Sequence, residues 1–280
     1  GEIHKLSQKN KAVLKKNWFL QIVPNKYPAF GKGVCAVQRK NGPYFWEDGV
    51  GFHDIIITRQ HEKSIALMSQ KEADILIRAY RDRYLQLKDE DCIEYVSIFH
   101  NHGPEAGASI AHPHSQVIAI PVVPPDVGRS IKGSSIFYHK NKKCVHCVMI
   151  DFEKREKKRL VYENEKFIVF APFASRTAFE VRIFPRKHSP TFESIHNSEI
   201  SFLADALKVS LSKLCKGLGN PSYNFFIHTS PAANTEALRH YHWHIEILPK
   251  TAIWAGFELG TGIDISSIAP EKAASFLRKI

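Results

Sequence analysis

Two histidines and a glutamine alternate in the stretch AHPHSQVIAI, which runs from Ala111 to Ile120. Side chains at alternate positions of a β-strand leave the same face of the sheet, so His112, His114 and Gln116 would form one row. A neutral imidazole is a good nucleophile near pH 7, whereas a glutamine amide can donate a hydrogen bond but cannot act as a general acid or base. The row is therefore a plausible geometry for nucleophilic chemistry, which the rest of the sequence has to support.

An isolated His-x-His pair is more often a plain exposed part of a strand, and this alternative has to be weighed. The run GPEAGAS at residues 103–109 lies directly upstream and contains two glycines and a serine. Backbone N–H groups of such a loop can approach phosphate oxygens closely and stabilise charge as it develops. The loop and the row together favour phosphoryl chemistry over the structural interpretation.

The elements that must position this row occur twice in the chain. The segments GFHDIIITRQHEKS and FEVRIFPRKHSP each have a strand-like run, a lone histidine after a basic region and then a polar cap before a helix. Each helix is followed by a β-rich run and a His-x-His strand that ends in proline, HPHSQVIAIP and HWHIEILP. His61 and His188 stand 127 positions apart, and His112 and His242 stand 130 apart. This spacing indicates an internal duplication of a strand, helix, strand, strand unit.

The duplication predicts an α+β fold of antiparallel sheets with one helix per repeat. Ser69 and Glu72 form a capping-box pattern ahead of the first helix. The second helix is predicted from apolar residues at helical spacing, namely Ile200, Leu203, Ala204, Leu207, Leu211 and Leu214. We expect an N-terminal half at residues 1–135 and a C-terminal half at residues 136–280. The charged segment HKNKKCVHCVMIDFEKREKKRL between them is expected to be a solvated connector.

The composition indicates a globular chain with an anionic partner. Of 280 residues, 44% are hydrophobic, and 39 Lys and Arg against 28 Asp and Glu give a net charge of +11. The basic residues form no stripe interleaved with aromatics, which argues against nucleic acid as the partner. The alternative from another functional class is a catalytically silent module that binds nucleotides or nucleic acid. No membrane-spanning run and no signal-peptide pattern are visible, so we expect a cytoplasmic location and no membrane partner.

Four motifs resemble the galactose-1-phosphate uridylyltransferase family, a branch of the histidine-triad superfamily. They are NHGPEAGASIAHPHSQVIAIPVVPP, PNKYPAF, AGFELGTG and APEKAASFLR, and they follow the family order over nearly the whole chain. The resemblance implies a duplicated histidine-triad-like fold and transfer of a nucleoside monophosphate between sugar phosphates. The reaction it implies is UDP-glucose plus galactose 1-phosphate giving glucose 1-phosphate plus UDP-galactose, with an ADP-glucose phosphorylase-like reaction as the alternative. Family members are usually homodimers whose partner contributes to the nucleotide site.

The resemblance also implies individual roles. His114 matches the nucleophile, Gln116 the residue that hydrogen-bonds the transferred phosphoryl group, and His112 the residue whose backbone orients the nucleophile. In hydrolases of the superfamily, a third histidine stands where this chain has the glutamine. The positions that match contacts to the nucleotide sugar or the sugar phosphate are Asn25, Asn101, Gly107, Ser109, Phe257 and Glu258.

A zinc site is predicted in the second half. Cys144 and Cys147 have the CxxC spacing of a zinc knuckle, although redox-active or merely free thiols have the same spacing. The resemblance adds His188 and His242, giving a Cys2His2 set with a structural role. The five cysteines do not form a secreted disulfide framework, and only this CxxC looks paired.

The first-half metal site departs from the family pattern. His61 and His112 match ligands there, but family members carry a further CxxC ahead of PNK, and this chain has no cysteine before Cys35. Either the missing segment preceded Gly1 or the site has been lost. His240, His242 and His244 also alternate, which would suit a metal-dependent hydrolase. Duplication explains them more simply, with His242 and His244 corresponding to His112 and His114 and with Trp243 in the core.

Overall fold

The computed structural model describes residues 18–31, 33, 35–232 and 238–280. The start of the chain, on which the prediction about a signal peptide rests, lies outside these residues. The strands are β1 (Leu20–Pro24), β2 (Arg39–Asn41), β3 (Tyr44–Trp46), β4 (Phe52–Thr58), β5 (Tyr95–His102), β6 (His114–Ile120), β7 (Leu160–Glu163), β8 (Phe167–Phe170), β9 (Val181–Pro185), β10 (Tyr223–His228) and β11 (His244–Pro249). The helices are α1 (Gln70–Lys88), α2 (Pro125–Asn141), α3 (Val145–Glu156), α4 (Asn197–Leu218), α5 (Gly256–Thr261) and α6 (Pro270–Lys279). Within the described part of the chain, every helix is too short or too polar to cross a membrane.

Nine strands form one antiparallel sheet in the order β1-β4-β6-β5-β10-β11-β9-β8-β7, and β2 and β3 form a separate hairpin. The spatial strand order β4-β6-β5 in the first half corresponds to the order β9-β11-β10 in the second half. The halves meet where β5 pairs with β10. The predicted α+β architecture with a duplicated unit is therefore confirmed. Because the halves share one sheet, the division at residue 135 stays a prediction.

The helices α1 and α4 cover one face of the sheet, as their sequences predicted. The capping box is present, since Ser69 N–H donates to the Glu72 carboxylate at 2.6 Å and Glu72 N–H donates to Ser69 Oγ at 3.4 Å. All six apolar positions predicted for the second helix are buried on α4. Burying a leucine or isoleucine side chain contributes about 1.5–3 kcal/mol, so these contacts hold α4 against the sheet.

The other face of the sheet differs between the halves. In the first half it is partly exposed along β6. In the second half α3 lies over it, where Ile150 packs against Ile168, Phe170 and Phe184 in a second small core. The charged segment forms the last residues of α2 and the whole of α3, and one side of α3 is buried against the sheet. The expectation of a solvated connector was therefore wrong.

The cysteine assignment also needs a correction. Cys35 and Cys92 form a disulfide across 57 positions of sequence, whereas only the CxxC pair was expected to be paired. Cys144, Cys147 and Cys215 are free of disulfides. Two cysteines this far apart show no local spacing pattern. They pair because the fold brings the segment before β2 next to the turn that follows α1.

Candidate functional site

His114 begins β6 and its ring is held by the backbone. Its Nδ1 lies 2.9 Å from the carbonyl oxygen of His112, and a carbonyl only accepts, so Nδ1 carries the proton. Nε2 is then the nitrogen with the lone pair. The side chain is half-buried on the partly exposed face of the sheet. This arrangement leaves the Nε2 lone pair available for nucleophilic attack.

Gln116 lies two residues further along the same face. Its Oε1 is 2.8 Å from His53 Nε2, and His53 Nδ1 accepts the backbone N–H of Ala29 at 3.1 Å. His53 was missed by the sequence analysis. The sequence signal for His53 was that it is polar, whereas Ile55 and Ile57, which share its face of β4, are apolar.

The Asn101 amide is fixed by a residue of the second half. Asn224 Nδ2 donates to Asn101 Oδ1 and to the carbonyl oxygen of Ala106, both at 2.8 Å. With its oxygen occupied, Asn101 keeps its amide N–H groups for another partner. Asn224 was also missed, because only the pairing of β5 with β10 brings it to the site.

The glycine-rich loop is more closed on itself than expected. The N–H groups of Ala106, Gly107 and Ala108 donate to carbonyls within the loop, so these three do not point at a phosphate. Gly107 has a φ of +81°, which favours glycine. Gly107 and Ser109 are exposed, and their predicted contacts with the nucleotide sugar stay predictions.

Asn25 follows β1 and is half-buried. Its Oδ1 accepts the N–H of Tyr27 at 2.9 Å, and its Nδ2 lies 3.1 Å from His53 Nε2. The Asn25 side chain therefore lies beside the imidazole that bonds Gln116. Asn25, His53 and Gln116 form a continuous set along this face.

Phe257 and Glu258 lie apart from this set by sequence and belong to α5. The segment forms a short helix whose N-terminus is capped by Glu258, which accepts the N–H of Ala255 at 3.1 Å. Phe257 is 52% exposed. Their predicted contact with a sugar phosphate stays a prediction.

The predicted second-half metal ligands come together. The ligand atoms of Cys144, Cys147, His188 and His242 all lie within 4.8 Å of one another. The hydrogen bond with Cys147, together with those from His146, His188 and His242, holds the pKa of the Cys144 thiol far below its ordinary value. The cluster therefore favours a thiolate, which is the form that binds a metal.

The geometry fits tetrahedral zinc. Cys147 Sγ lies 3.4 Å from His188 Nδ1 and 3.5 Å from His242 Nδ1, and tetrahedral Zn–S and Zn–N bonds place such atoms about 3.5 Å apart. The opposite ring nitrogens bond backbone carbonyls, His188 Nε2 to Arg239 at 2.7 Å and His242 Nε2 to Pro185 at 3.0 Å. Each imidazole therefore turns its Nδ1 lone pair into the cluster.

Only part of the corresponding first-half site is present among the described residues. His112 Nε2 bonds the carbonyl oxygen of Thr58 at 2.5 Å, as His242 bonds Pro185, and the His61 ring lies 4.3 Å from the His112 ring. The described part of the chain supplies no third histidine, cysteine or carboxylate that joins this pair in a metal-ligand group. A metal role for His61 and His112 stays a prediction.

The second half contains a closed counterpart of the row. His244 Nδ1 lies 3.2 Å from the carbonyl oxygen of His242, as in the first half. However, the His244 ring stacks between Phe184 and His228, and α3 covers it through His146. Burial lowers the pKa of His244 well below its ordinary value. Trp243, 1% exposed, lies in the core as predicted.

His228, His244 and Glu246 also have ligand atoms close enough to hold a metal. Glu246 is already paired, with Arg182 at 3.3 Å and His228 Nε2 at 3.3 Å. Burial alone would raise the pKa of Glu246, but the neighbouring His228 and the charges of Arg182 and Arg176 outweigh it and bring the pKa to about 2. The Glu246 carboxylate is therefore held by ion pairs with its neighbours, which accounts for this cluster without a metal.

The single sheet built from two similar halves, with a histidine row on one open face, defines a duplicated histidine-triad fold. A family model described as "Domain of unknown function (DUF4921)" matches residues 37–278. ADP-glucose phosphorylase of Arabidopsis thaliana is 35% identical over 94% of this chain and 75% of its own length. Galactose-1-phosphate uridylyltransferase of Thermotoga maritima is 30% identical over 95% of this chain and 86% of its own length.

Solved structures agree with the sequence relatives. The crystal structure of the Arabidopsis ADP-glucose phosphorylase with bound ADP-glucose superposes with a TM-score of 0.84 and 33% identity, over 94% of this chain and 83% of that one. The chain belongs to the galactose-1-phosphate uridylyltransferase family of the histidine-triad superfamily. The relatives support nucleotidyltransferase activity.

Proposed function

We propose that this chain is a nucleotidyltransferase that works through a covalent nucleotidyl-His114. The observation that carries the proposal is the hydrogen bond from His114 Nδ1–H to the His112 carbonyl, which leaves Nε2 as the nucleophile. Nε2 attacks the α-phosphorus of a nucleotide sugar, and the sugar 1-phosphate leaves with the electrons of the broken P–O bond. A second phosphate oxygen then attacks the nucleotidyl group, and the P–N bond breaks to restore the neutral imidazole.

Gln116 supports transfer to a phosphate in preference to water. Its amide is neutral at pH 7, so it can hydrogen-bond the phosphoryl oxygens but cannot remove a proton from water. A phosphate acceptor carries its own nucleophilic anionic oxygen and needs no base. The intermediate therefore persists until a phosphate acceptor enters.

Only the first-half row is proposed to react. His114 and Gln116 lie on a partly exposed face, whereas their counterparts His244 and Glu246 are 4% exposed each, and His244 contacts His146 of α3. A nucleotide sugar cannot reach an imidazole that is stacked between two rings. The duplicated fold therefore supplies one reactive histidine per chain.

Two donor and acceptor pairs are proposed. The motifs and the Thermotoga relative support UDP-glucose with galactose 1-phosphate. The Arabidopsis relative supports ADP-glucose with inorganic phosphate, and its greater identity gives this pair the stronger support. We further propose that the Cys2His2 cluster holds a structural zinc ion, that the enzyme is cytoplasmic, and that it acts as a homodimer.

Exchange of the leaving group tests the reaction. The protein is incubated with labelled glucose 1-phosphate and either UDP-glucose or ADP-glucose, with no other acceptor. A covalent intermediate predicts that label enters one of these nucleotide sugars, and that His114→Ala abolishes the exchange. Absence of exchange with both donors would contradict the proposal.

A further inference from the structure

His53 connects three parts of the site through one imidazole. It lies on β4, diagonally across from Gln116, because His53 pairs with Ile118 in the register of β4 and β6. Its Nδ1 contacts the N–H of Ala29, and its Nε2 contacts the side chains of Gln116 and Asn25. Two of the proposed substrate contacts therefore meet at this ring.

The hydrogen bonds determine which ring nitrogen of His53 carries the proton. A backbone N–H can only donate, so the contact with Ala29 makes Nδ1 the acceptor. Nε2 of the neutral ring must then be the donor, and its oxygen partner at 2.8 Å is Gln116 Oε1. The Asn25 amide nitrogen at 3.1 Å lies beside the same N–H without a bond in this tautomer.

This tautomer fixes the amide of Gln116. With Oε1 held by His53, the Nε2 amide group of Gln116 is the end left for a ligand, and it can only donate. A phosphoryl group offers only acceptors, so this orientation is the productive one. The flipped amide would place its oxygen against the phosphoryl oxygens and repel them.

We propose that His53 is a positioning residue that holds the Gln116 amide with its N–H groups directed at the transferred phosphoryl group. The inference rests on the proposed function, since it needs a phosphoryl group at Gln116. His53 acts through Gln116 and does not itself contact the reacting atoms. The hydrogen bond from the Ala29 N–H to the His53 ring means that the PNK loop helps to fix the Gln116 amide through His53.

Single-turnover kinetics test the role with three variants, His53→Phe, His53→Gln and Gln116→Ala. A hydrogen bond to a charged group is worth enough that its loss slows a reaction by about 10- to 100-fold. We expect His53→Phe to slow adduct formation from ADP-glucose or UDP-glucose by this factor. His53→Gln, whose amide N–H can replace Nε2–H, should recover most of the rate.

The double variant separates positioning from a structural role. If His53 acts only through Gln116, His53→Phe slows the Gln116→Ala enzyme no further, whereas a structural role predicts that the two losses multiply. Thermal unfolding confirms that each variant is folded. Multiplying losses, or a wild-type rate in His53→Phe, would overturn the positioning role alone. Absence of any adduct in the wild type would overturn the proposed function and this inference together.

Discussion

Replacing Asn224 with alanine tests how the second half supports the site in the first. The side chain is 9% exposed and donates to Asn101 Oδ1 and to the carbonyl oxygen of Ala106. Each hydrogen bond contributes about 1 kcal/mol, and a buried partner left unpaired adds to the cost. We expect the free energy of unfolding to fall by about 2–3 kcal/mol.

The same change should slow the chemistry. Without Asn224, the Asn101 amide can rotate and the loop at residues 103–109 loses a tether at Ala106. Loss of one oriented hydrogen bond to a phosphate predicts a fall of about tenfold in the rate of adduct formation. Urea unfolding measures the first effect, and single-turnover mass spectrometry measures the second.

Asn141→Ala is the matched control. The Asn141 side chain is exposed and donates locally to the carbonyl of Phe137, so its loss should change stability by less than about 0.5 kcal/mol. Asn101→Ala and Asn224→Ala share one hydrogen bond, so the double variant should cost about 1 kcal/mol less than the sum. An Asn224→Ala protein as stable as the control, or full additivity, would refute the reasoning.

Two further predictions concern the second half. Cys147→Ser should lose the one zinc ion per chain expected in elemental analysis and lower the melting temperature, whereas Cys215→Ser, outside the cluster, should keep the metal. Equal zinc content in both would contradict the site. The folded-state pKa of Glu246 is about 2, below its ordinary value of 4.5, so its stabilisation is present above pH 4.5 and is lost as pH falls towards 2. Glu246→Gln should reduce the change in the free energy of unfolding between pH 4.5 and pH 2 by about 3 kcal/mol. The control Glu163→Gln, which replaces an exposed carboxylate, should leave that change as it is in the wild type.

The sequence predicted what depends on periodicity and repetition. The capping box at Ser69 and the apolar face of α4 are local patterns, and each is present. Of the predicted row, His114 and Gln116 alternate on β6, whereas His112 precedes the strand. The repeat of spacing between the two sets of histidines predicted two equivalent units. Cys144 and Cys147 showed the ligand spacing of a zinc knuckle, and the resemblance to the family supplied the two histidines that complete the cluster.

The remaining features depend on the order of strands in space. Asn224 reaches Asn101 because β10 pairs with β5, and His53 reaches Gln116 because β4 pairs with β6. Neither pairing partner is adjacent in sequence. The burial of α3 was missed because its charged residues dominate the composition, while a few apolar residues such as Ile150 determine its packing.

Intact-protein mass after mixing with UDP-glucose or ADP-glucose tests the central claim most directly, with acid-labile adducts preserved. The account predicts a gain of one uridylyl or adenylyl group per chain in the wild type and no gain in His114→Ala. The identity of the group decides between the two donors. A gain that persists in His114→Ala, or no gain with either donor in zinc-replete wild-type protein, would contradict His114 as the nucleophile.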